Sequence, residues 1–529
     1  MEKLDKLKRM LASGTIDRRE FMGRALAAGA TVAMASTLAS GTLKAAPPKK
    51  GGRFRMGMGH GSTTDSLDPA TFENGYIQVI GYGLRGHLTE VSNTGELIPD
   101  LAESWEATPD AKTWTFKMRQ GVEFHNGKTL DAADVVASIN HHRGEDSKSA
   151  AKPIVDPIVD IKADGKNTVV MTLEAGNADF PFIVGDYHLA MMPAKDDGVE
   201  WQSGVGTGGY VLQKYDAGVR TSLKRNPNYW KEGKANFDEI EALSIKDTAA
   251  RTNALTTGEI DLGDRVDIKT VHLLKRRKGI RVEETSGTAH YTFAMRTDTP
   301  PFDNNDVRLA LKYALDREAL LKSVLRGHGV VGNDHPIGRS NRYHAGDLPQ
   351  RTYDPDKAKF HLKKAGVSNL TVDLSAADAA FAGAVDAAVL YKEHAKKAGI
   401  TINVVREPND GYWSDVWMKK AWSAVYWGGR ATEDWMFSTA YAAGANWNDT
   451  FWSHDRFNKL LIEGRAELDD AKRREIYGEM QKIVRDEGGV VVPMFNNYVF
   501  AMSDKVQHDE MAGNWDLDGN KAMERWWFA

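Results

Sequence analysis

Residues 370–407 read LTVDLSAADAAFAGAVDAAVLYKEHAKKAGITINVVRE. The stretch resolves into a strand, LTVDLSA (370–376), a helix, AVDAAVLYKEHAKKAG (384–399), and a second strand, ITINVVRE (400–407). A strand–helix–strand unit of this length favours parallel pairing and places the chain in the α/β class. Upstream lie a strand, AHYTFAMRT (289–297), and a long amphipathic pattern, DVRLALKYALDREALLKSVL (306–325), with apolar residues at i, i+3 and i+4. Downstream, a helical segment over 456–488 precedes the strand VVVPMFNNYVFAMS (490–503).

The N-terminal half shows a different rhythm. After the linker Pro47–Gly52 come a strand, FRMGMG (54–59), a polar loop (60–69) and a helical pattern, NGYIQVIGYGLRGHLTEV (74–91). Trp114–Arg119 alternates apolar and polar residues, as a half-buried strand does. Asp131 is placed to cap a helix, and Thr248–Gly258 reads as a helix closed by glycine. Strand patterns recur at 167–175, 209–215 and 220–226. No internal repeat is evident.

A chain of 529 residues exceeds one ordinary core, and 41% hydrophobic with 27% charged residues is globular composition. Cysteine is absent, which excludes disulfides, thiolate metal sites and thiol nucleophiles. The first 46 residues hold eight Lys/Arg against four Asp/Glu, and the remainder holds 61 basic and 69 acidic residues. That mildly acidic body argues against nucleic-acid binding.

Residues 15–24, TIDRREFMGR, precede an uncharged Ala/Gly/Ser/Thr-rich stretch from Ala25 to Leu43. This is the layout of an export signal, and Arg18-Arg19 followed by Phe21 resembles the twin-arginine type. The stretch has too few large apolar residues for a spanning helix. We expect a cleaved signal over 1–46, with Ala45-Ala46 as one cleavage candidate, and a soluble periplasmic mature protein.

Four segments, in order, resemble the landmarks of the family 5 extracellular solute-binding proteins of peptide, nickel and opine importers. They are LIPDLAESWEATPDAKTWTFKMRQGVEFHNGKTLDAADVVASI (97–139), GTGGYVLQKYDAGVRTSLKRNPNYW (206–230), PPFDNNDVRLALKYALDREALL (300–321) and YDPDKAKFHLKKAG (353–366). The resemblance implies a two-lobe periplasmic binding protein fold with mixed sheets. Lobe I would be discontinuous, 47–285 plus 494–529, and lobe II would span 286–493. The hinge would lie near Thr285-Ser286 and Pro493-Met494. It further implies a monomer that delivers a small ligand to the subunits of an ABC permease, with no cofactor.

The same resemblance supplies candidate ligand contacts. In peptide-binding members a Trp-x-x-Asp segment of lobe II provides an Asp for the ligand's amino group. The matching stretch here is Tyr426–Trp435, and Arg430 stands where that Asp aligns. The reversed charge favours an anion, which a guanidinium grips bidentately. Gly429 precedes Arg430, and Trp427 and Trp435 flank it. Asp434 is the amine partner if the alignment slips by four residues. Asn446-Trp447 falls where lobe II loops face the cleft. From lobe I, His60 and Tyr82 lie near the cleft edge. Arg143 corresponds to a region that contacts ligand carboxylates in metal-chelate binders, although a helix-end cation answering the dipole explains it equally well.

Enzyme motifs fail on inspection. Gly204–Gly209 satisfies G-x-G-x-x-G, but a strand follows it rather than a helix. Gly121–Thr129 carries one residue too many for a P-loop, and there is no H-E-x-x-H and no nucleophile elbow. The 15 His are scattered with no metal-site spacing. The sequence therefore reads as a non-enzymatic binding protein for a small anionic or zwitterionic solute. A chemoreceptor accessory or chaperone-like protein on the same scaffold is the alternative reading.

Overall fold

The computed structural model describes residues 48–408 and 412–529. The expected signal over 1–46 lies outside them.

The 370–407 unit forms as its pattern predicts. Leu370–Ala376 and Ile400–Arg406 pair in parallel, with Leu370 opposite Ile400, and the helix Ala384–Ala395 crosses between them. They form one end of an 11-stranded mixed sheet. From the opposite end its order is Tyr210–Asp216, Arg220–Arg225, Glu239–Ser244, Arg53–Met58, Leu262–Gly263, Val490–Ser503, Ile280–Met295, Trp422–Trp427, Leu370–Ala376 and Ile400–Arg406. Gly329–Val331 pairs with Val490–Ser503 off this path. A separate antiparallel sheet comprises Ala102–Ala107, Thr113–Met118, Thr168–Leu173 and Ile158–Ala163.

Packing divides along the large sheet. Phe54, Tyr76, Ile240, Phe500, Met502 and Trp526 join both ends of the chain in one core. The antiparallel sheet builds a neighbouring core from Trp114, Phe116, Val135 and Met171. Two further cores draw only on residues between 268 and 495, around Phe293, Val372, Tyr391 and Trp422, and around Val425, Phe437, Tyr477 and Val492. Val490–Ser503 reaches from the first core to these last two, and Ile280–Met295 runs beside it from a small cluster around Leu255, Ile260 and Ala501. Their antiparallel ladder runs from Ile280–Ser503 to Ser286–Asn497, breaks, and resumes from His290–Phe495 to Ala294–Val490. At the break, a side chain on Gly287 would approach the Asn496 carbonyl to 2.8 Å.

Three helices end where side chains compete for the backbone. The pattern over 306–325 divides into Asn305–Tyr313 and Arg317–Val324, because the Asp316 carboxylate accepts from Ala319 N at 2.9 Å and starts a new helix. Likewise 456–488 divides into Asp455–Ala466 and Asp470–Glu487, with Asp469 accepting from Lys472 N at 3.0 Å. The helix expected over 74–91 stops at Leu84. There the buried Arg85 guanidinium donates to the carbonyls of Leu67 and Trp201 (2.7 and 2.9 Å), and the chain continues as the strand Thr89–Val91. Asp131 forms a reciprocal capping box with Asp134, and Gly258 closes its helix at φ 80°.

Removing the Asp469 cap with Asp469→Ala is expected to cost about 1 kcal/mol. Chemical denaturation would show this as a lower midpoint with an unchanged slope; an unchanged midpoint would mean that the two helices behave as one.

Candidate functional site

The strand Trp422–Trp427 delivers the loop Gly428–Ala431, and Thr432 caps the following helix Glu433–Ala440 by accepting from Trp435 N at 3.2 Å. Gly429 is pressed against the broken section of the crossing strand. A side chain there would sit 1.5 Å from Thr288 Oγ1, so only glycine fits. Arg430 is half-buried. Its Nη1 donates to the carbonyls of Gly428 and Gly429, both at 3.1 Å, and its guanidinium lies 5.7 Å from the Trp435 ring. No carboxylate pairs with it among the described residues. Burial lowers its pKa, and the Tyr187 phenol from the first core is close enough to oppose that shift.

This loop lines a narrow cavity of 20 Å³ together with Asp179, Phe182, Thr288, Asn341–Tyr343 and Asn514. The cavity adjoins a wider one of 690 Å³ between Thr94–Leu97, Trp105 and Phe182 on one side and Arg339–Tyr343, Asp470, Arg473 and Arg474 on the other. Arg342 pairs with Asp470 at 2.7 Å. Arg339 is exposed and has no ion partner among the described residues.

At the floor of this space the two regions touch through charge. Arg473 Nη2 meets Asp179 Oδ1 at 2.6 Å, and each side chain is only 4% exposed. The Tyr343 and Tyr477 rings flank the guanidinium at 5.2 and 5.4 Å. Ala178 N donates to the Arg465 carbonyl at 2.6 Å beside it. Glu433 accepts from Tyr343 N at 2.7 Å, and burial pushes its carboxyl up to about 7.

The proposed contacts fall into three groups. Gly429, Arg430, Asp434 and Trp435 share one loop and helix start. Of these, Asp434 is buried and held by Arg465 Nε at 3.1 Å, with its carboxyl raised to about 6 by burial. Trp427 is buried and donates from Nε1 to Asp449 at 3.2 Å, as Trp417 does. Trp447 is half-exposed 6.3 Å from the Trp427 ring, and Asn446 is exposed. The third group, like every candidate but Arg430, lines neither cavity. His60 accepts from Gly75 N at 3.3 Å, with burial lowering it to about 4. The Tyr82 hydroxyl donates to Gly185 O at 3.1 Å, and Arg143 binds Asn140 and the Ile158 carbonyl. The sequence reading did not single out Asp179, Arg339, Arg342 or Arg473. The turn-rich run 332–346, which carries two of them, was the available signal, since long loops tend to carry function.

A family model described as "Bacterial extracellular solute-binding proteins, family 5 Middle" matches residues 96–449. The chain belongs to this family. It is 27% identical over 440 residues to a dipeptide-binding protein of Escherichia coli (strain K12), covering 75% of this chain and 81% of the relative. It is 25% identical to the glutathione-binding protein GsiB of the same strain, covering 81% and 86%. The fold matches the periplasmic binding protein AgaA, solved with agropinic acid from A. tumefacien R10, with TM-score 0.71 and 23% identity, covering 90% and 99%. The architecture is thus the two-lobe α/β fold of periplasmic binding proteins. The chain is a solute-binding protein of the kind that serves ABC importers of peptides or related ligands. Among the described residues no helix is long and apolar enough to cross a membrane.

A carboxyl that titrates higher in the folded chain stabilises the fold at low pH, and that stability is lost as pH rises through its folded pKa. Glu433→Gln is therefore expected to gain stability relative to wild type between about pH 4.5 and 7. Melting curves across that range check it; parallel pH profiles would contradict it.

Proposed function

We propose that this protein captures a small anionic or zwitterionic solute in the cleft between its lobes and passes it to an ABC permease. Lobe I takes 47–285 and 494–529, lobe II takes 286–493, and the break in the two crossing strands is the hinge. Arg430 carries the reading. A half-buried guanidinium whose hydrogen bonds among the described residues go to its own loop carbonyls leaves donors for a planar anion, and a carboxylate meets them bidentately. Arg339, likewise without an ion partner among the described residues, adds positive potential at the wider mouth. The wider cavity suits a ligand of several functional groups, such as an opine, an acidic or modified peptide, an amino-acid conjugate or a metal chelate. Relatives solved with or named for agropinic acid and glutathione, both acids, support an anionic solute.

Export by the twin-arginine route fits the N-terminal pattern, and a monomer fits a protein whose work is to close on its ligand. Asp434 is spoken for by Arg465, so it is a weaker partner for a ligand amine than Arg430 is for an anion.

Thermal melting against dipeptides, opines, organic acids and metal chelates tests the reading. A ligand at 100 times its Kd stabilises the fold by about 2.7 kcal/mol. Anionic ligands are expected to raise the melting temperature of wild type and to lose that effect in Arg430→Ala. Equal stabilisation of both proteins by neutral-ended dipeptides would overturn the role of Arg430.

A further inference from the structure

The run 332–346 also lines a third cavity, of 540 Å³, which shares Arg339 with the wider cleft cavity. Val330–Asn333, Ile337, Phe495 and two histidines, His335 and His344, line it. His335 is 1% exposed, and neither of its ring nitrogens has a hydrogen-bond partner. A neutral imidazole has one donor and one acceptor, and here both are buried and unmet.

His344 is complementary. Its Nδ1 donates to the Ile337 carbonyl at 3.2 Å, which fixes the tautomer and leaves the Nε2 lone pair unbonded among the described residues. A carbonyl behind the second ring nitrogen is the usual support for a metal-ligating histidine. The two ring centroids lie 5.8 Å apart. Two imidazoles bound to one ion at about 2.0–2.1 Å from each nitrogen bring their rings to a comparable separation.

The backbone at His335 is held firmly. The preceding Asp334, at φ 61°, is gripped by Arg317 Nη2 at 2.7 and 2.6 Å and by Arg351 Nε at 2.8 Å. Both arginines are buried, so the loop cannot easily turn His335 out to solvent.

We propose that His335 and His344 bind one borderline divalent transition-metal ion, of the nickel, copper or zinc class, in this third cavity. Imidazole nitrogens suit these ions and not calcium or magnesium. No group of three His, Asp or Glu residues is placed to hold an ion among the described residues, so water or a small exogenous ligand completes the coordination. Asn341–Tyr343 of the same run wall the narrow cleft cavity. A bound ion would therefore stiffen a wall of the solute site without occupying it.

The test is titration calorimetry on the mature, tag-free, chelator-treated protein with Ni²⁺, Cu²⁺ and Zn²⁺ salts in turn, with Ca²⁺ as control. Wild type is expected to bind one equivalent. His344→Gln and His335→Gln should each weaken binding at least tenfold, and the double variant should abolish it. Because His335→Gln alters a buried position, the electron paramagnetic resonance spectrum of the wild-type Cu²⁺ complex gives an independent reading, which must show nitrogen superhyperfine structure from two imidazoles. No binding, equal binding in the double variant, or a Cu²⁺ spectrum without two nitrogen donors would overturn the proposal and leave the cavity as a hydrated one.

Discussion

Two strands tie the molecule together. Ile280–Met295 and Val490–Ser503 pair across both packing regions: Phe500 and Met502 enter the first core, Ile280 and Val282 pack on the small cluster of Leu255, Ile260 and Ala501 beside it, and Phe293, Val491 and Met494 enter the second region. The ladder has its widest gap around Gly287–Ala289 of one strand and Asn496 of its partner, with a second register shift between Tyr291 and Phe293. A sheet resists stretching along its hydrogen bonds but tolerates twisting where they lapse. In the reading proposed above, that gap lets the lobes turn relative to each other while the register on either side holds them in alignment. The requirement for glycine at 429 follows from the same place, because the ligand loop packs on Thr288 inside the gap.

The Asp179–Arg473 pair shows how such lobes can meet without locking. Desolvating two charges nearly cancels their attraction in a buried pair, whereas deleting one partner costs about 3–5 kcal/mol. Contact between the lobes through this pair is therefore specific in geometry and modest in net strength, which suits reversible closure. Arg430 differs because its charge is partly removed from water without a counter-charge. In the reading proposed above, a bound anion would supply the missing partner, and the free energy that closes the cleft would come from the solute.

Much of this was legible in the chain. The 370–407 unit gave the parallel pairing, Asp131 and Gly258 marked helix ends by side-chain and backbone chemistry, and the four ordered segments pointed to the two-lobe architecture. Two long helical patterns ran past their true ends, because apolar periodicity continues through Asp316 and Asp469. An aspartate inside an amphipathic run was the overlooked stop signal. In the site, Arg430, Gly429 and Trp435 come together because they are neighbours in sequence. Asp179 and Arg473 escaped notice because only the folded chain makes them neighbours, and nothing in either local sequence marks a buried ion pair. His60, Tyr82 and Arg143 were placed by likeness to other proteins, and in this chain each is engaged by its own surroundings.

The central claim is that the lobes move about the strand break and close on the solute. The absence of cysteine makes a spin-label pair clean. Val159→Cys in the first region and Phe360→Cys in the second sit at exposed positions, 59% and 61% accessible. Electron–electron double resonance between labels there, with and without a ligand that binds by calorimetry, measures lobe separation directly. The account predicts a broad distribution without ligand that collapses to one narrow, closed distance with it. One unchanged distribution in both states, with binding independently demonstrated, would contradict closure about the strand break.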